Sequence, residues 1–122
     1  RLERFIVRLA AVNARDRHRS EMSAVARDLP LAANDSGRFV QLCRDSDRLL
    51  DECAENPFAT AAASPLRTHC RRLLNQHGEG QLLAETVKAQ AVMLRHVARR
   101  DPSGAAKASD GVITSIERFL TG

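Results

Sequence analysis

The sequence contains no tryptophan and no tyrosine, and its aromatic residues stop at Phe5, Phe39, Phe58 and Phe119. So few flat side chains leave little on which exposed bases could stack, which argues against a single-stranded nucleic-acid binder. No apolar run has the length of a membrane span, and the start Arg1-Leu2-Glu3-Arg4 lacks the apolar segment of a secretory signal, so a cytoplasmic location is expected. The cysteines number three, Cys43, Cys53 and Cys70. An odd count in a chain long enough to bury a core reads as free thiols, not as a disulfide framework. There is no glycine-rich phosphate loop, no nucleophile elbow and no helical pair of histidines around a glutamate. The expectation is a protein that is not an enzyme.

What is present is alanine, leucine, arginine and glutamate, a set that favours helix over strand. With 122 residues, 43% of them apolar, one domain spanning 1–122 is the simplest organisation. The net charge of +4 comes from arginines interleaved with acids, the pattern of a solvated surface.

Leu2, Phe5, Ile6, Leu9, Val12 and Asn13 fall at helical spacing and predict a first amphipathic helix. His18, Met22, Val25 and Leu29 repeat that spacing in a second helix, which Pro30 brings to an end. Asp35 and Ser36 offer cap chemistry to a third helix from about Arg38 to Glu55, closed by Asn56-Pro57. A fourth carries Leu66, Cys70, Leu73 and His77 on one side, with Pro65 predicting a kink or restart, and ends at Gly78-Glu79-Gly80. Leu83, Val87, Gln90, Leu94 and Val97 step by four, three, four and three, the clearest stripe in the chain. Pro102 suits the first turn of a last helix whose face is Ala105, Ala108, Ser109, Val112, Ile113, Ile116, Phe119 and Leu120. The fold class is therefore all-α, an antiparallel bundle of about six helices.

Gln90 interrupts an apolar stripe, where an unpaired amide would cost about 1–3 kcal/mol, so it requires a partner. Either it bonds a neighbouring helix or it meets a ligand in a central cavity. Asn13 invites the same two readings, the structural one preferred. Cys43 and Asp47 are four apart and point to one side of their helix, a geometry able to converge on one atom. The plainer reading makes Cys43 a small core residue and Asp47 the rim of the apolar face. His18 and His96, as lone histidines, read as surface residues. No pair among these groups has the tight spacing of a zinc module. Cys70 beside His69 is an unspecific nucleophile candidate, and an enzyme built on it predicts a depressed thiol pKa.

The run from Asp47 through Asp51-Glu52-Cys53-Ala54-Glu55-Asn56-Pro57-Phe58 to Cys70-Arg71-Arg72-Leu73 resembles the middle of the FCD (FadR C-terminal) domain of GntR-family bacterial transcription regulators. Val97-Ala98-Arg99-Arg100-Asp101-Pro102, leading through Ala105-Ala106-Lys107-Ala108-Ser109-Asp110 to Ile116-Glu117-Arg118-Phe119, is similar to that domain's closing helices. The resemblance implies a helical bundle that binds a small-molecule effector, often an organic acid, in a central cavity and pairs as a homodimer. It implies contact with DNA only through a winged-helix domain, which these 122 residues do not contain. It also implies a divalent metal held by an aspartate, a histidine four residues on, and two histidines on the last two helices. By spacing from Asn56 and Asp101 those positions fall on Cys43, Asp47, Gln90 and Val112. None keeps the family's residue, and Val112 cannot ligate a metal. The expectation is a metal-free pocket without cofactor, in which Cys43, Asp47, His69, Arg72 and Gln90 meet a polar ligand. The alternative is a helical protein-interaction module without ligand, its buried polar groups serving only packing.

Overall fold

The structure is a computed structural model that describes residues 2–77 and 80–121. Among the described residues six helices follow one another: α1 Leu2–Asn13, α2 Asp16–Asp28, α3 Ser36–Ala54, α4 Pro57–His77, α5 Gly80–Ala98 and α6 Pro102–Thr121, with a 3-10 turn at Leu29–Ala32 between α2 and α3. Among the described residues there is no strand, so the all-α expectation holds. No described helix is long and apolar enough to cross a membrane.

The punctuation follows local chemistry. The Asp35 carboxylate accepts the Arg38 amide at 3.0 Å and starts α3. Asn56 does not merely close α3: its side-chain oxygen accepts the Ala59 amide at 3.0 Å and starts α4, with Pro57 at the first helical position. Asp101 caps α6 through the Gly104 amide at 3.0 Å and accepts a hydrogen bond from His96 Nδ1 at the same distance. A side chain at Gly104 would collide with both Asp101 and His96, so this cap needs glycine. Pro65 neither kinks α4 into two elements nor restarts it; it sits on the exposed face, where water can serve the carbonyl its missing N–H leaves unpaired.

α5 lies at the centre, packed on α6, α2, α1 and α3. Its stripe of Leu83, Val87, Gln90, Leu94 and Val97 is buried throughout. α1 and α4 are turned by about one residue from the sequence expectation. On α1 the buried face is Ile6, Val7, Ala10 and Ala11, while Phe5 is 48% and Val12 63% exposed, and Asn13 faces solvent. On α4 it is Ala59, Ala63, Arg67 and Leu74, while Leu66 is 63% exposed. In both helices alanines make up half of the buried face, and the bulky Phe5, Val12 and Leu66 stay outside. His18 corrects a second expectation: it is buried, 3.4 Å from Glu52, and continues the Met22 face. His96 is half-buried on Asp101. The expected inward positions of His77, Phe119 and Leu120, and the helix end at Gly78-Glu79, lie outside the described residues.

Candidate functional site

A cavity of about 100 Å³ opens where α1, α3, α4, α5 and α6 meet. Helical spacing explains its polar groups. Cys43 and Asp47 are one turn apart on α3, and Gln90 enters from α5 in the middle of the apolar stripe. Phe39, Leu74, Met93, Val112 and Ile113 supply apolar wall. Gln90 has a structural partner on a neighbouring helix, since its Nε2 donates to the buried Ser46 hydroxyl at 2.8 Å, and the residue also lines the cavity.

Of the five residues expected at the site, Cys43, Asp47 and Gln90 line the cavity and His69 and Arg72 do not. Both of the latter are exposed on α4, which presents Arg67, Cys70 and Arg71 to the cavity instead. Arg67 is the largest surprise. Only 9% exposed, it donates from Nη2 and Nε to Glu3 at 2.9 and 3.3 Å and from Nη1 to Asp51 at 2.6 Å, with Asp47 Oδ1 3.6 Å from Nε. Arg71 Nη1 reaches Asp47 Oδ2 at 2.6 Å. The sequence held a weak signal: Asp47 and Asp51 are like charges one helical turn apart, an arrangement that a cation between them relieves.

Electrostatics follow from burial and this pairing. Burial pushes the Asp47 carboxyl up to about 6, against the pull of Arg67 and with a further push from Glu3. Burial alone would lower the Arg67 pKa; the hydrogen bonds it donates to Glu3 and the nearby Asp47 charge raise it above its ordinary value, so the guanidinium stays charged. The Cys43 thiol is driven far up by burial and by Asp47. Cys70 is also raised, by burial first and then by Glu3. Both shifts run opposite to the depressed pKa of a nucleophilic thiol. Asp47, Arg67 and Arg71 also line a groove on the outer surface with Arg48, Asp51 and Ser64, so this polar wall separates cavity from solvent.

Cys43, Asp47, Gln90 and Val112, the positions at which the resemblance places a metal, all border the cavity, yet they do not fit one. The Cys43 thiol resists ionisation, both Asp47 oxygens face arginines, the Gln90 amide is bonded to Ser46, and Val112 has no donor atom. Among the described residues no three His, Cys, Asp or Glu side chains gather to hold a metal ion.

A further polar atom in the wall was invisible to the sequence reading. Ser109 on α6 is 1% exposed, lines the cavity, and its Oγ has no hydrogen-bond partner. A wider groove between α2 and the end of α5, bordered by Arg19, Arg27, Arg95 and Arg99, is open to solvent and lies away from these groups.

Comparison with known proteins gives one match. The family model described as the FCD domain matches residues 1–115. No curated protein and no solved structure matches the chain.

Proposed function

The chain belongs to the FCD domain family, and on that premise we propose that it is the ligand-sensing and dimerising part of a GntR-type transcription regulator, without catalytic activity of its own. The family is one of regulatory, effector-binding domains. The observation that carries the reading for this chain is the cavity itself: residues from five helices converge on an interior space that has apolar walls and a few placed polar groups, the make-up of a small-molecule site. A ligand there touches α4, α5 and α6 at once, so its binding would bias how these helices sit and, through them, an attached winged helix.

Pairing with a second copy is supported by α1. Leu2, Phe5, Leu9 and Val12 recur at steps of three, four and three, and Leu2, Phe5 and Val12 stay exposed. A stripe of this kind on a soluble domain marks a surface made for another apolar surface. Light scattering should return about twice the 13.4 kDa of the chain.

Absence of catalysis is supported by the thiols, whose pKa values are raised, and by the exposed position of His69, away from the cavity. A thermal-shift screen against a metabolite library tests the reading. A true effector at 100 times its Kd should stabilise the fold by about 2.7 kcal/mol. Silence across the library would favour an interaction module whose polar groups serve packing alone.

A further inference from the structure

We propose that the cavity takes a small uncharged ligand whose head carries a hydrogen-bond acceptor beside a donor, as a carboxamide does, held between Ser109 and Gln90. The inference rests on the reading of the site as an effector cavity and adds the chemical class of the ligand.

The first support is the Ser109 hydroxyl. Mid-helix serines usually bond a carbonyl one turn back or face water, whereas this Oγ is buried with no partner. Leaving it so costs free energy that a ligand atom in the cavity would recover. Across the same space Gln90 uses one amide hydrogen on Ser46, which leaves its second amide hydrogen and its carbonyl oxygen for a ligand. Both groups are neutral, and together they offer donors and an acceptor. A carboxamide oxygen accepts from Ser109 while its N–H donates to the Gln90 carbonyl.

The second support is the charge of the wall. Of the charged side chains that line the cavity, Glu3 and Asp47 balance Arg67 and Arg71, and Asp51 backs them from the outer groove, so the wall holds no surplus cation. An anionic head entering here finds no free cation, because both arginines that line the cavity are already paired. A cationic head fares no better: both oxygens of Glu3 bond Arg67, and those of Asp47 face Arg67 and Arg71, so an ammonium would have to displace a guanidinium. A metal has no donor set, as shown above. A neutral head has only the unpartnered Ser109 hydroxyl and the remaining Gln90 amide groups to meet, with no ion pair to break.

Size narrows the class. A dry cavity of about 150 Å³ accepts a benzene ring, so the roughly 100 Å³ here suits four or five heavy atoms unless helices part. The walls beyond the polar groups are Phe39, Met93, Val112 and Ile113, which fit a short alkyl tail.

The two methionines make the test direct. Met93 lines the cavity, while Met22 is buried on α2 away from it. Protein labelled with ¹³C in the methionine methyls would be titrated at neutral pH with propionamide, propionate and propylammonium, which share a tail and differ in charge. Propionamide should move the Met93 methyl signal and leave Met22 in place, with an affinity about tenfold above either charged analogue. Ser109→Ala should fold, because it removes an unpartnered hydroxyl, and should weaken propionamide about tenfold, the ratio that one hydrogen bond of ordinary strength carries. Tighter binding of propionate or propylammonium at Met93 overturns the neutral-ligand inference while leaving the cavity a ligand site. Equal propionamide affinity in wild type and Ser109→Ala overturns the role of Ser109. If none of the three moves Met93 the inference fails, and the broader effector reading is then decided by the library screen.

Discussion

Replacing Arg67 with methionine keeps the stem that packs between α1, α3 and α4 and removes only the guanidinium. That group makes the hydrogen bonds to Glu3 and Asp51 and stands 3.6 Å from Asp47. Three carboxylates whose side chains are only 19–24% exposed are then left with Arg71 as their remaining cation. Removing one partner of a buried ion pair costs about 3–5 kcal/mol, because the other charge stays desolvated. Partial access of water to the three acids places the expected loss at the low end, about 3 kcal/mol at pH 7. The sign of the pH dependence follows. Asp47, which burial already pushes up to about 6, loses the opposing pull of Arg67 in the variant and rises further, so its penalty is fully present above the folded pKa and fades as pH falls towards the unfolded one. Urea denaturation of both proteins at pH 7 and pH 5 should show the gap narrowing at the lower pH. A loss below about 1 kcal/mol, or an equal loss at both pH values, would refute the assignment of Arg67 as the cation that holds these acids.

Three further outcomes follow from the same site. Ser109→Ala should raise the thermal midpoint of the unliganded protein, since it deletes an unpaired buried hydroxyl worth about 1–3 kcal/mol; a lowered midpoint would show that the hydroxyl already has a partner. Asp47, pushed up to about 6 by burial, holds its proton more tightly folded than unfolded, so its contribution to stability falls as pH rises from about 4 through 6 and is flat above that. Relative to Asp47→Asn, the wild type should therefore lose on the order of 2–3 kcal/mol across that window in chemical denaturation, and an unchanged difference would contradict the raised pKa. Alkylation by iodoacetamide should reach half-buried Cys70 before the buried Cys43 and Cys53, and all three more slowly than a free thiol. Rapid labelling of Cys70 would revive a nucleophilic role.

The parts of the fold that were legible in the sequence are those where large apolar side chains do the burying. α5 is the clearest case, because Leu83, Val87, Leu94 and Val97 are both the bulky residues and the buried ones. α1 and α4 misled for a physical reason. Ala10, Ala11, Ala59 and Ala63 make up half of their inner faces, beside Ile6, Val7, Arg67 and Leu74, and let helices approach closely, while the bulkier Phe5, Val12 and Leu66 are exposed. A turn of one residue on α4 is enough to replace Leu66 and Leu73 on the buried face by Arg67 and Leu74. Cys43, Asp47 and Gln90 were found because a polar residue on an apolar face stands out. Arg67 was not, since a buried arginine breaks the pattern that sequence reading follows, although Asp47 and Asp51 called for it. Ser109 was read as part of the α6 face, and nothing in the chain forecasts that its hydroxyl lacks a partner.

The central claim is that the interior space bordered by Asp47, Gln90 and Ser109 is where an effector binds. Methionine-methyl spectra recorded with any compound that stabilises the protein in a thermal-shift screen test it most directly. The account predicts that such compounds displace the Met93 signal and leave Met22 unmoved. Stabilising compounds that shift Met22, or neither methionine, would place the effector elsewhere and contradict it.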